Sequence, residues 1–177
     1  LKIYYFIENF NFKELSNINK SINIVFRNYS NINYLDDLLE IREFCKKKGN
    51  KLYLSNNVKL AKSLLLDGVY LPAFNKKLSY NNLNLPQKFK IIGSAHNISE
   101  IRIKEKQNCE EIFLSPIFKT DKHKYYLGSV KFNLQGIETE KKIVALGGIN
   151  PDNLKKIKLT KSIGIASISW IKKNGLK

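Results

Sequence analysis

The chain is 177 residues long and carries 31 Lys and Arg against 15 Asp and Glu, a formal net charge of +16. That length fits a single domain over residues 1–177 with a real core. No apolar run approaches the roughly 20 residues of a membrane span, and the apolar start from Leu1 to Ile7 has no small-residue cleavage site behind it, so a soluble cytoplasmic protein with no membrane partner is expected.

Opening on Leu1 rather than Met, the chain is expected to lack residues upstream. The positive charge does not mark a nucleic-acid partner. Lysines are scattered along every helix rather than gathered in one arm, and Arg occurs only at 27, 42 and 102, although such a field would draw in a small anion. Cys45 and Cys109 stand far apart without a CxxC or a neighbouring His, which argues for two reduced thiols and against a cysteine metal site.

In chain order, Lys2 to Ile7 reads as a strand of aromatic and β-branched residues, and Phe10 to Ser21 as a weak helix. Ile22 to Phe26 is a second buried strand that delivers Arg27 at its end. Asn33 is expected to cap the best helix, whose apolar stripe is Leu35, Leu38, Leu39, Ile41, Phe44 and Cys45, and Gly49 to stop it. Lys51 to Leu54 is strand three, and Val58 to Leu66 a helix with Leu60, Ala61, Leu64 and Leu65 facing in. Gly68 opens strand four, Val69 to Leu71. The stretch Pro72 to Gln87 is Asn-rich with two prolines, so the fourth helix is expected to be short or missing.

Phe89 to Ile92 is strand five, followed by Gly93, Ser94, Ala95 and His96, and Asn97 with Glu100 opens the next helix as a capping box. Glu111 to Leu114 is strand six. Its loop, Ser115 to Gly128, holds Thr120, Lys122, His123 and Lys124, and a weakly patterned helix lies within Val130 to Lys141. Ile143 to Leu146 is strand seven, stopped by Gly147 and Gly148, after which Asn150 is expected to cap a helix with Pro151 at its first position. Ser162 to Ala166 is strand eight.

Eight strands that are apolar throughout, alternating with helical segments, argue for a parallel sheet covered by helices. A small single-domain (βα)8 TIM barrel of the α/β class is expected, ahead of an open flavodoxin-like sheet. The backbone N–H groups at Gly147, Gly148, Ala166 and Ser167 would cradle a phosphate, as the last two units of such barrels commonly do. A pair of glycines that merely permits a tight turn is the plainer alternative.

The segments LSNNVKLAKSLLLDGVYLP, IIGSAHN, FLSPIFKTDKHK, VALGGIN and GIASIS together resemble the successive strand-end motifs of the thiamine-phosphate synthase/TenI family, from Tyr4 to Ile171. The resemblance implies a barrel that joins a hydroxymethylpyrimidine diphosphate to a thiazole phosphate with release of pyrophosphate, in thiamine biosynthesis. Its partners would be small phosphorylated substrates, and a homodimer is compatible with it. It further implies that Gly147, Gly148, Ala166, Ser167 and Ser169 hold the thiazole phosphate, and that Arg27, Ser94, Thr120 and Lys122 are catalytic. Pyrophosphate would fall to Arg27, Ser55, Lys122 and Lys124.

The family's Mg2+ would lie at Asn56 and Asn75, where this chain has amides in place of two aspartates, so only weak metal binding is expected. Val25 and Tyr29 likewise replace the Gln and Lys that flank the family's arginine. Gly148→Asp is expected to remove phosphate binding and spare the fold. Two other readings stand beside this one. A TenI-like thiazole tautomerase would use a histidine in the strand-six loop, where Pro116 occupies the matching position and His123 lies further on. A non-catalytic barrel that binds a phosphorylated ligand would explain the loss of both metal carboxylates.

Overall fold

A computed structural model describes residues 1–30, 34–121, 124–168 and 170–171. The strands are β1 (Lys2–Ile7), β2 (Ile22–Phe26), β3 (Leu52–Ser55), β4 (Gly68–Leu71), β5 (Lys90–Ala95), β6 (Glu111–Leu114), β7 (Lys142–Leu146) and β8 (Gly164–Ser167). They close into one parallel barrel in sequence order, with β1 pairing both β2 and β8. The helices are α1 (Phe12–Ser16), α2 (Leu35–Lys48), α3 (Val58–Ser63), α4 (Ile98–Lys106), α5 (Gly128–Gly136) and α6 (Leu154–Ile157). Only a 3-10 turn, Ser79–Asn82, stands where a fourth crossover helix would be.

Alternate residues along each strand separate two cores. Tyr4, Phe6, Val25, Tyr53, Tyr70, Ile92, Phe113, Val144 and Ala166 fill the barrel interior. Residues such as Tyr5, Ile24, Leu54, Val69 and Ile112 face outward and meet the helices. The interior is an aromatic plug. Tyr4 and Phe113 meet edge-on at 4.8 Å between centroids, and Phe6 does the same with Tyr70 at 5.1 Å. At the amino end of the barrel the buried Glu111 accepts from the Tyr4 hydroxyl at 2.6 Å and pairs with the Lys2 ammonium.

Several elements differ from the sequence reading. The helix expected at Asn150 begins at Leu154, because Asn150 and Asn153 first cap each other, each side-chain oxygen accepting the other's backbone N–H at 3.1 and 3.0 Å. The turn of Pro151 to Asn153 lies inside that reciprocal pair. Leu65 does not face in: α3 ends at Ser63, and Leu65 has φ +53° and is 76% exposed. Helix α2 starts at Leu35 behind Tyr34, with no side-chain cap, and Asn33 lies outside the described residues. Within its stripe Leu38, Ile41 and Cys45 are buried while Leu35 and Leu39 stay exposed, and Gly49 ends it at φ +84° as expected. The weak helix of 10–21 shrinks to the five residues of α1. Strand β5 runs on to Ala95, so Gly93 and Ser94 belong to the strand itself.

Candidate functional site

The carboxyl ends of the strands gather the polar residues singled out above. Gly147 and Gly148 follow β7 with φ of +93° and +71°, a conformation that L side chains rarely adopt. Space forbids a side chain as well: a Cβ on Gly148 would lie 2.4 Å from the Lys119 carbonyl oxygen, and one on Gly147 would lie 2.9 Å from Pro116. The β6 loop backs directly onto these glycines, with Ile117 N–H donating to Leu146 O at 2.9 Å and Phe118 N–H to Gly147 O at 3.1 Å. On the other side Asn153 Nδ2 donates to Gly148 O at 2.7 Å. Carbonyls of the turn are thus tied down. Among the described residues nothing accepts from the amides of Gly148 and Ile149, which suits an anion. The expectation that Gly148→Asp spares the fold is corrected here, since any Cβ collides with the β6 loop.

Ala166 and Ser167 close β8 beside this turn, both buried, and Ser167 Oγ accepts from Trp170 N–H at 3.3 Å. Ser169 lies outside the described residues, as do Lys122 and His123. Thr120 is half-buried and Lys124 exposed in the β6 loop. Ser94, on β5, is buried and hydrogen-bonds the Tyr70 hydroxyl, whose pKa burial pushes up to about 12 against that bond. Ser94 therefore anchors the top of the aromatic plug. His96 is occupied, with its N–H and Nδ1 both on Glu100 Oε2 at 2.7 and 2.9 Å. Asn97 Oδ1 in turn caps Glu100 N–H at 2.9 Å.

Arg27 leaves the end of β2 and lays its guanidinium over the Phe6 ring, 5.3 Å from the centroid, with Glu8 3.7 Å away. It is a cation set over a ring of the barrel interior. Tyr29 reaches from the same loop to Ser55, hydroxyl to hydroxyl at 2.7 Å, and meets the exposed Phe74 ring at 5.7 Å. Burial raises the Tyr29 phenol, while the Ser55 hydrogen bond and the Arg27 charge hold it back. A cleft of about 170 Å³ opens here, with Tyr29, Ser55, Asn56 and Asn57 among its lining residues.

The structure brings Asn56 and Asn75 together. Asn56 follows β3 at φ +61°, and Asn75 Nδ2 donates to its Oδ1 at 2.6 Å. Asn75 Nδ2 also donates to the Tyr80 hydroxyl at 2.7 Å, and its Oδ1 accepts from Lys77 N–H at 2.9 Å and Gln107 Nε2 at 3.2 Å. Beneath it lies Lys104 on α4, fully buried, donating to Pro72 O at 2.8 Å, Asn75 O at 2.9 Å and Gln107 Oε1 at 2.8 Å. Gly93 makes room for it, since a Cβ there would meet Lys104 Cδ at 2.8 Å.

Burial depresses the Lys104 ammonium to about 8. These residues do not fit Mg2+. Both oxygens offered are neutral and already accept hydrogen bonds, a cation lies below, and among the described residues no group of three or more His, Cys, Asp or Glu could hold a metal. Lys104 and Gln107 escaped the sequence reading, because a Lys in a charged helix reads as surface.

Against known proteins, a family model described as thiamine monophosphate synthase matches residues 17–171. The thiamine-phosphate synthase of Prochlorococcus marinus strain SARG is 30% identical over 135 residues, covering 75% of this chain and 38% of that protein. The thiamine-phosphate synthase of Helicobacter pylori strain J99 is 34% identical over 139 residues, covering 75% of this chain and 63% of the relative. The chain thus spans less than two thirds of the length of these relatives. Among solved structures, thiamine phosphate pyrophosphorylase from Pyrococcus furiosus superposes with a TM-score of 0.78 at 20% identity, covering 99% of this chain and 89% of that one, a likeness of fold. The strand-end motifs, the glycine turn after β7 and the match from residue 17 to 171 lead to one conclusion: the chain belongs to the thiamine monophosphate synthase family.

Proposed function

We propose that this chain is a transferase that joins a hydroxymethylpyrimidine diphosphate to a thiazole phosphate and releases pyrophosphate. The observation that carries the reading is the turn at Gly147 and Gly148, whose unclaimed amides stand beside the end of β8 in a chain of this family. In this reading the amides of Gly148 and Ile149 hold the thiazole phosphate, with Ser167 at its edge. Lys124, together with Thr120 in the same loop, faces the incoming diphosphate.

When the carbon–oxygen bond to the diphosphate breaks, negative charge grows on the leaving group and positive charge on the pyrimidine methylene. Arg27, set over Phe6, stabilises the first. No strong base is required, which agrees with a mouth whose one described histidine is engaged by Glu100. The test is a coupled assay with both substrates, reading thiamine phosphate by its fluorescent oxidation product. Product above the no-protein rate supports the synthase. Thiazole-phosphate binding without product would instead favour the non-catalytic barrel, which the paired amides at 56 and 75 recommend as the second reading.

A further inference from the structure

The hydrogen bonds around Asn75 have a fixed direction. The backbone N–H of Lys77 can only donate, so the group it meets at 2.9 Å is the Asn75 oxygen and the Asn75 nitrogen must point the other way, toward Asn56. Asn56 therefore turns its own oxygen inward to accept that bond at 2.6 Å and its Nδ2 outward. No described residue accepts from that nitrogen, and Asn56 is among the lining residues of the cleft it shares with Tyr29 and Ser55. Gln107 and Lys104 hold the arrangement from below through the Asn75 carbonyl, at 3.0 and 2.9 Å, with Lys104 also gripping Pro72 O. The outermost group here is a donor, where a carboxylate would have offered acceptors to a cation.

We propose that Asn56 Nδ2, oriented by the Lys77–Asn75–Asn56 relay, is a direct anion donor that together with one hydroxyl of the neighbouring Tyr29–Ser55 pair and Arg27 binds a diphosphate without any divalent cation. The relay also joins the loop after β3 to the loop after β4. Arg27, two residues before Tyr29 and with its guanidinium 5.3 Å over the Phe6 ring, supplies the charge for the anion. Tyr29 and Ser55 are bonded to each other at 2.7 Å, so one of the two hydroxyl protons remains free to turn toward a ligand. The inference rests on the proposed reaction only in taking a diphosphate as the ligand.

The test is calorimetric titration of inorganic pyrophosphate into the full chain, once with excess EDTA and once with saturating Mg2+. Affinity in EDTA is expected to equal or exceed that in Mg2+. Asn56→Asp keeps a residue that tolerates φ above zero and replaces the donor by a carboxylate. It is expected to weaken pyrophosphate in EDTA by about tenfold or more, the equivalent of one charge-assisted hydrogen bond. Asn56→Gly, which keeps the backbone and removes the donor, is expected to weaken it by a smaller factor.

Bound Mn2+ measured by electron paramagnetic resonance gives a readout free of the anion, and the wild-type chain is expected to hold none at this mouth. A tenfold or greater tightening of wild-type pyrophosphate on adding Mg2+ would overturn the proposal. So would stoichiometric Mn2+ binding that Asn56→Gly removes, an Asn56→Asp variant that binds normally in EDTA, or no pyrophosphate binding in either buffer. The product assay stands apart from these results. Metal-free pyrophosphate binding without thiamine phosphate would sink the reaction and leave this inference in place.

Discussion

Gly148 shows how tightly one residue can be bound to its surroundings. At φ +71°, with carbonyl oxygens of Phe118 and Lys119 within 2.6 Å of any Cβ, Gly148→Ala must distort both the β7 turn and the β6 loop. The αL conformation alone costs a non-glycine residue about 1–2 kcal/mol, so urea denaturation should show a loss of at least that size. Thiazole-phosphate affinity, titrated on the folded fraction, should fall with it. The two glycines were legible in the sequence, because their position after an apolar run has few structural meanings. Their packing against Pro116 and Lys119 was not legible, since it joins residues about thirty positions apart. Asn75 is similar. Its identity was plain, but its partners come from 56, 77, 80 and 107, and no local pattern announces them.

Among the elements, α4 and the connection after β4 belong together. The connection has only a 3-10 turn of its own, and it is held by side chains of α4. Gln107, just past the helix, donates to Asn75 O at 3.0 Å and Lys77 O at 2.8 Å, and accepts from Lys104 at 2.8 Å. Gln107→Leu fills the same buried place but strands those partners, so a loss of about 1–3 kcal/mol is expected. Amide hydrogen exchange should quicken across residues 72–83 and stay unchanged in β1 and β2. A uniform change, or none, would mean the connection is held by other contacts. The prolines and asparagines of Pro72 to Gln87 announce the missing helix, and the Asn97–Glu100 cap announces α4. Helix ends are less legible where turns compete. Reciprocal capping by Asn150 and Asn153 delays α6, and Leu65 leaves the helical path before its apolar spacing runs out.

For the molecule as a whole, buried ionisable groups set how stability follows pH. Burial raises the thiols of Cys45 and Cys109 from 9.0 to about 12 and lowers the Lys104 ammonium from 10.5 to about 8, with Cys109 and Glu100 facing that ammonium. Between about pH 8 and 9 the unfolded chain binds more protons than the native one because of Lys104, so stability should rise slightly. Above pH 9 the unfolded thiols lose protons that the native thiols keep, and two such groups outweigh one lysine, so stability should fall. Melting temperatures across this range check both signs, and Cys45→Ala should soften the fall. A melting temperature that climbs steadily to pH 10 would contradict it.

The eight-stranded order of the barrel followed from apolar strand runs and the helices between them. The aromatic plug of Tyr4, Phe6, Tyr70 and Phe113 did not, because which side of a strand faces the axis depends on barrel closure. That plug sets Arg27 at the mouth, and the activity proposed for the chain depends on this placement. The most direct measurement is the initial rate of thiamine phosphate formation from both substrates, for the wild-type chain and for Arg27→Met. Formation above the uncatalysed rate is expected, falling by about a hundredfold or more in the variant. No product from a folded wild-type chain, or a rate indifferent to Arg27, would contradict that expectation.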